Sequence, residues 1–269
     1  VRSNFVIFSQ SRSGSTLLCA NLNYQKDIVC MNEIFRQNWF QSKGGKDQLR
    51  EFFMGINSNF MENIRRKNFA EFLILMSEIS NKPVFGYKIT APQAYRVATS
   101  KEIYLNFLKN NKSKIILLTR NNLFLKYVSH QTAKKIGFDE RIQSKKYKAV
   151  HQLNPIKINY YEYKEYLNQE NSFLRQRKKD ISSYNLPYIH IKYEDFVAEK
   201  YLESMAKIYE LLNLDFKDFK DLRESDGIIA GFEKINVYNT KDKIINYEEF
   251  KKAAEDNNDI ETLNFLKEQ

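Results

Sequence analysis

Little in this chain can bend sharply, be cross-linked or hold a metal. Its 269 residues include only 4 prolines, 8 glycines, 2 cysteines and 3 histidines. So little proline and glycine, with no internal repeat, predicts one domain over residues 1–269 without a flexible linker. Two cysteines cannot form a disulfide framework, and the scattered His130, His151 and His190 add no metal-ligand spacing. Cys19 falls in a predicted helix and Cys30 in an apolar strand, so both are expected as buried free thiols. No apolar run approaches the ~18–20 residues of a membrane span, and no signal peptide is visible. The expected setting is cytoplasmic, the alternative being the lumenal domain of a membrane-anchored protein whose N-terminal segment precedes Val1.

Core-forming residues are plentiful, at 42% hydrophobic and 14% aromatic. The net charge of +10 admits nucleic acid, a membrane surface or a polyanionic small molecule as partner. The basic runs 64–67, 144–148 and 175–179 are separated by acidic stretches, which argues against nucleic acid. Apolar runs predict strands at 4–9, 27–31, 83–89, 114–119 and 187–192. Helical spacing predicts helices at 14–24, 46–54, 59–79, 101–111, 122–136, 157–183, 196–213 and 246–267. This alternation specifies an α/β fold, a parallel sheet flanked by helices on both faces. Residues 137–156 and 222–245 are the least regular and are expected as acceptor-binding loops or lids. The aromatic stripe of 157–183 reads as core packing rather than a sugar site.

Residues 5–22, FVIFSQSRSGSTLLCANL, carry the chemistry. An apolar strand runs into a small polar loop, and a helix opens at Gly14-Ser15-Thr16. The first N–H groups of a helix lack internal partners and the helix dipole favours negative charge there, so the arrangement is an anion cradle. Arg12 adds a fork of donors suited to phosphate or sulfate. Serines can also cap a helix for structural reasons alone. Aligned with the nucleotide loop G-x-x-x-x-G-K-[ST], the stretch puts Ser9 at the first glycine and Ser15 at the lysine. The strand 114–119 is followed by Arg120 where a Mg²⁺-holding Asp would stand. A nucleotide-dependent kinase and a non-catalytic basic binding module remain the alternatives.

The loop SQSRSGSTLL resembles the 5′-phosphosulfate loop of sulfotransferases that use 3′-phosphoadenosine 5′-phosphosulfate (PAPS), and its arginine form resembles the carbohydrate and glycolipid (Nod-factor-like) branch. Further stretches resemble that family in the same order. Arg120 closing a strand, with Ser129 nine residues later, matches its 3′-phosphate site; nine helical residues rise about 13.5 Å, so the helix must fold back for both to reach one phosphate. Glu33-Ile34-Phe35 resembles its E-x-F sequence, and FGYK at 85–88 its F-G-x-K strand. The stretch 193–196, YEDF, resembles a structural motif in which Asp195 is expected to cap the helix at 196.

The resemblance implies a P-loop-NTPase-like sulfotransferase fold and sulfuryl transfer from PAPS to a hydroxyl of a carbohydrate or glycolipid. It places Ser11, Arg12, Ser13, Gly14, Ser15 and Thr16 on the 5′-phosphosulfate, and Arg120 and Ser129 on the 3′-phosphate. Glu33 is the implied general base and Arg12 the stabiliser of the leaving group. Lys88 is expected at the sulfonate or the acceptor, and Lys241 in a late basic loop. The leaving group is already a stabilised phosphate anion, so no metal is implied. Some members of the family form homodimers, so a dimer is one expected state.

Overall fold

Five apolar runs become five parallel strands in the computed structural model, which describes residues 3–35, 58–90, 100–136, 155–221 and 240–267. The strands are β1 (Ser3–Ser9), β2 (Ile28–Met31), β3 (Val84–Thr90), β4 (Lys114–Thr119) and β5 (Tyr188–Lys192), in spatial order β2-β3-β1-β4-β5. Each pairing is parallel, with Ile7 opposite Lys88, Ser9 opposite Leu118 and Met31 opposite Tyr87. The C-terminal ends of β1, β3 and β4 therefore lie side by side, the edge at which open α/β sheets bind ligands.

The described residues fall into two compact units, Val1–Thr119 with Arg175–Leu222, and Arg120–Leu174 with Arg223–Gln269. The first holds the whole sheet. On one sheet face, Phe5, Ile7, Ile116 and Leu118 pack against α1 (Ser15–Asn23) and α8 (Tyr201–Leu212). On the other face the Tyr87 hydroxyl meets that of Tyr104 at 3.0 Å. Tyr104 belongs to α4 (Lys101–Asn110), and the Arg177 guanidinium of α6 (Tyr160–Ser183) lies 5.4 Å from the Phe8 ring centre. The expected parallel sheet with helices on both faces is thus found. Cys19 and Cys30 are buried free thiols with their sulfurs 3.2 Å apart, as expected. Burial and the neighbouring Cys19 push the Cys30 thiol well up, against a smaller opposing pull from Lys88.

The second unit is built on aromatic packing. Tyr163 sits 5.6 Å from Phe124, 5.2 Å from Tyr127 and 5.6 Å from Phe250, joining α5 (Leu123–Ile136), α6 and α9 (Tyr247–Asp256). The aromatic stripe of α6 is core here, as read from its spacing. Asp259 accepts from the Tyr160 hydroxyl at 3.0 Å and pairs with Lys164 at 2.8 Å.

Three expected helices differ, two of them because a polar side chain outcompetes the helix for backbone groups. The helix expected over 59–79 is two, α2 (Ser58–Lys67) and α3 (Phe69–Ile79), because Asn68 turns extended and accepts from Ala70 N and Glu71 N at 3.2 Å. The helix expected over 246–267 is interrupted between α9 and α10 (Ile260–Lys267), where the Asp259 carboxylate accepts from Thr262 N. Asp195 is not an N-cap: it lies inside the short α7 (Tyr193–Val197), and Ala198 in extended conformation separates α7 from α8. The helix expected at 46–54 and most of 137–156 and 222–245 lie outside the described residues. Among the described residues no helix is long and apolar enough to cross a membrane.

Candidate active site

The loop after β1 is shaped by backbone that most side chains avoid. Gly14, directly before α1, has φ +83°, and Arg12 has φ +63°. A Cβ on Gly14 would stand 2.3 Å from Cδ2 of Tyr193, so glycine is needed for both its conformation and its space. Ser13 is buried and its hydroxyl donates to the Gln10 carbonyl at 2.7 Å, bracing the loop from within. Ser15 is buried, Arg12 half-buried, and Ser11 and Thr16 exposed. The first turn of α1 contains no acidic residue, and Gly14 has no side chain to occupy its N–H groups. These features fit a phosphate or sulfate group held by backbone N–H groups.

Glu33 lies just beyond β2 with φ +40°. Among the described residues, the five other non-glycine residues with positive φ (Asn81, Lys112, Asn185, Asn213 and Asn258) all follow helix ends. There such a conformation is an ordinary stop. Arg12 and Glu33 stand apart from them, and strained backbone of this kind costs about 1–3 kcal/mol per residue. The Glu33 turn is pinned from two sides. Arg65 Nη1 donates to the Ile34 carbonyl at 3.2 Å, and the Phe35 ring meets those of Phe72 at 6.1 Å and Tyr87 at 5.7 Å.

Lys88 joins the two segments. It is 3% exposed, and its ammonium lies 3.2 Å from Glu33 Oε1 and donates to Thr16 Oγ1 at 3.1 Å. Alternation along β3 puts Gly86 and Lys88 on the α1 face of the sheet, opposite Phe5 and Ile7 of β1. That face is apolar at its base and turns polar at the ligand-binding edge, with Lys88, Ser9 and Thr90 all buried. The family resemblance singled out Glu33 and Lys88 separately; the sheet register brings the two side chains together.

Arg120 and Ser129 are both half-buried and open the second unit. Tyr166 of α6 feels the charge of Arg120, and its ring stacks on His130, the neighbour of Ser129, at 5.9 Å. Burial and then Glu170 raise the Tyr166 hydroxyl, with Arg120 opposing. Glu170 itself forms a buried ion pair with Lys126. Lys241 is exposed and pairs with Glu248 at 2.9 Å. Sequence reasoning missed Arg65 and gave Tyr193 no part at the loop. The Y-E-D-F resemblance was the one available signal for Tyr193.

No family model matches this chain, and no curated protein does. Among solved structures it is similar to the sulfotransferase from Alicyclobacillus acidocaldarius, at 14% identity over 86% of this chain and 88% of that one, with a TM-score of 0.44. It is also similar to mouse sulfotransferase SULT7A1 complexed with PAP, at 14% identity over 99% of this chain and 88% of that one, with a TM-score of 0.40. Neither likeness bears on individual residues or their chemistry.

Proposed function

We propose that this protein transfers a sulfuryl group from PAPS to a hydroxyl of a carbohydrate or glycolipid. The observation that carries the reading is the placement of a carboxylate, Glu33, one ammonium away from an anion cradle, through Lys88. The motif resemblance over 5–196 supports the identity of the donor.

In this reading the loop 11–16 holds the 5′-phosphosulfate through backbone N–H groups, the Arg12 guanidinium and the Ser15 and Thr16 hydroxyls. Arg120 and Ser129 take the 3′-phosphate, an assignment supported by the motif resemblance. Glu33 accepts the proton of the acceptor hydroxyl as its oxygen bonds to sulfur. The bond from sulfur to the nucleotide's bridging oxygen breaks, and Arg12 stabilises the charge gathering there. The products are a sulfate ester and adenosine 3′,5′-bisphosphate.

Calorimetry tests this directly. The protein is expected to bind adenosine 3′,5′-bisphosphate at about micromolar Kd without added Mg²⁺. It is then expected to move radiolabelled sulfate from PAPS to members of a carbohydrate panel. Mg²⁺-dependent ATP binding with no affinity for the bisphosphate would overturn the reading in favour of phosphoryl transfer.

A further inference from the structure

We propose that Lys88 is a positioning residue whose single ammonium holds the Glu33 turn and the first turn of α1 as one piece, and offsets the Glu33 charge toward an anionic donor. The inference rests on the sulfuryl-transfer reading and adds to it a link between donor binding and base placement.

Three observations carry it. First, Lys88 is 3% exposed, and a buried ammonium is tolerated only when paired. Two of its partners come from different segments, Glu33 Oε1 at 3.2 Å beyond β2 and Thr16 Oγ1 at 3.1 Å in α1. Second, Lys88 is itself fixed. β3 is an inner strand between β1 and β2, and the Phe5 ring fills the place a Gly86 Cβ would take, 2.2 Å from its Cε1. The backbone that carries Lys88 therefore cannot slide. Third, the chemistry sets a conflict. A general base must be an ionised carboxylate, yet a carboxylate beside a phosphate cradle repels the donor. An ammonium that touches both the carboxylate and the cradle wall resolves this conflict.

This arrangement makes the cost of losing Lys88 depend on Glu33. The test is binding of adenosine 3′,5′-bisphosphate to four full-length proteins: wild type, Glu33→Gln, Lys88→Met and the double variant. Glu33→Gln is expected to bind within about threefold of wild type, and Lys88→Met about tenfold or more weakly. The double variant is expected to recover to within about threefold of wild type, because the repelling charge has gone with its counter-ion. Lys88→Arg is expected to rescue most of the affinity that Lys88→Met loses. Equal losses for Lys88→Met in the wild-type and Glu33→Gln backgrounds overturn the inference, since a side chain that merely packs gives that result. Should Lys88→Met fail to fold alone, the double variant carries the test by the same threefold and tenfold limits. A wild type that binds no nucleotide overturns the sulfuryl-transfer reading itself, and it does so before any variant is made.

Discussion

Asn23 closes the outer edge of β2 by pairing its side-chain amide with both backbone groups of Cys30. Its Nδ2 donates to the Cys30 carbonyl at 2.8 Å, and the Cys30 N–H donates to its Oδ1 at 2.6 Å. One side chain at the end of α1 stands in for a neighbouring strand, three residues before Glu33. Asn23→Ala leaves a buried N–H and C=O without partners and is expected to cost about 1–3 kcal/mol in urea unfolding. If Glu33 is the base of the proposed reaction, turnover should fall further than nucleotide affinity, because the lost brace lies three residues before it.

Glu33→Gln keeps the size of the side chain and removes its capacity as a base. If Glu33 is the base of the proposed reaction, sulfuryl transfer is expected to drop about 10²–10⁴-fold, the usual contribution of a general base. Full activity in a steady-state assay with radiolabelled PAPS would remove Glu33 from the mechanism.

Gly14→Ala meets two separate penalties. The left-handed backbone costs about 1–2 kcal/mol for a residue with a Cβ. The new methyl also lands 2.3 Å from Tyr193 Cδ2 and must displace that ring. Adding Tyr193→Ala should return the steric part of the lost stability and leave the backbone part. Thermal unfolding of the two single variants and the double variant separates them.

Arg120→Ala tests the distal phosphate. If the guanidinium holds the 3′-phosphate, the variant should bind adenosine 3′,5′-bisphosphate about 10–100-fold more weakly, as for a lost charge-assisted pair. Its affinity for adenosine 5′-monophosphate should stay at the wild-type value. Parallel titrations with the two nucleotides decide between a local effect and general damage.

His190 is expected to add a small acid sensitivity to the fold. Partial desolvation of the exposed ring first, then Lys178 and Lys192, lowers its imidazole from the ordinary value of 6.5, and its Nε2 meets Thr119 Oγ1 at 2.8 Å. The folded state therefore favours the neutral ring, and the unfolded chain binds more protons as pH falls through 6.5. Stability is expected to decline in that window. His190→Gln should flatten the decline, measured by urea midpoints from about pH 7.5 to about pH 5.5.

The strands were legible because β1 and β4 carry the continuous apolar runs FVIF and IILL, which leave few other readings. Helix ends were less so. The apolar periodicity of 59–79 continues across Asn68, and only the local competition of its side chain for backbone N–H groups breaks the helix. The strand–loop–helix turn at 9–15 could be read because loop, glycine and arginine are contiguous. The Lys88–Glu33 pair could not, since it depends on β2 and β3 being neighbours in a particular register. The positive φ of Glu33 leaves no trace in residue type, and only the resemblance to a family singled that residue out.

The helix that carries the anion cradle is moored to residues far along the chain. The Tyr201 hydroxyl donates to Asn21 Oδ1 at 2.6 Å, and the Tyr209 hydroxyl to Gln25 Oε1 at 2.9 Å. Gln25 also exchanges two bonds with the Lys220 backbone, at 3.0 and 3.1 Å. During synthesis these moorings do not exist until residue 220 has left the ribosome, so the N-terminal strands must wait, half-covered, while roughly two hundred residues follow them out. Nascent chains stalled before that point should remain protease-sensitive in α1, and those released after it should not.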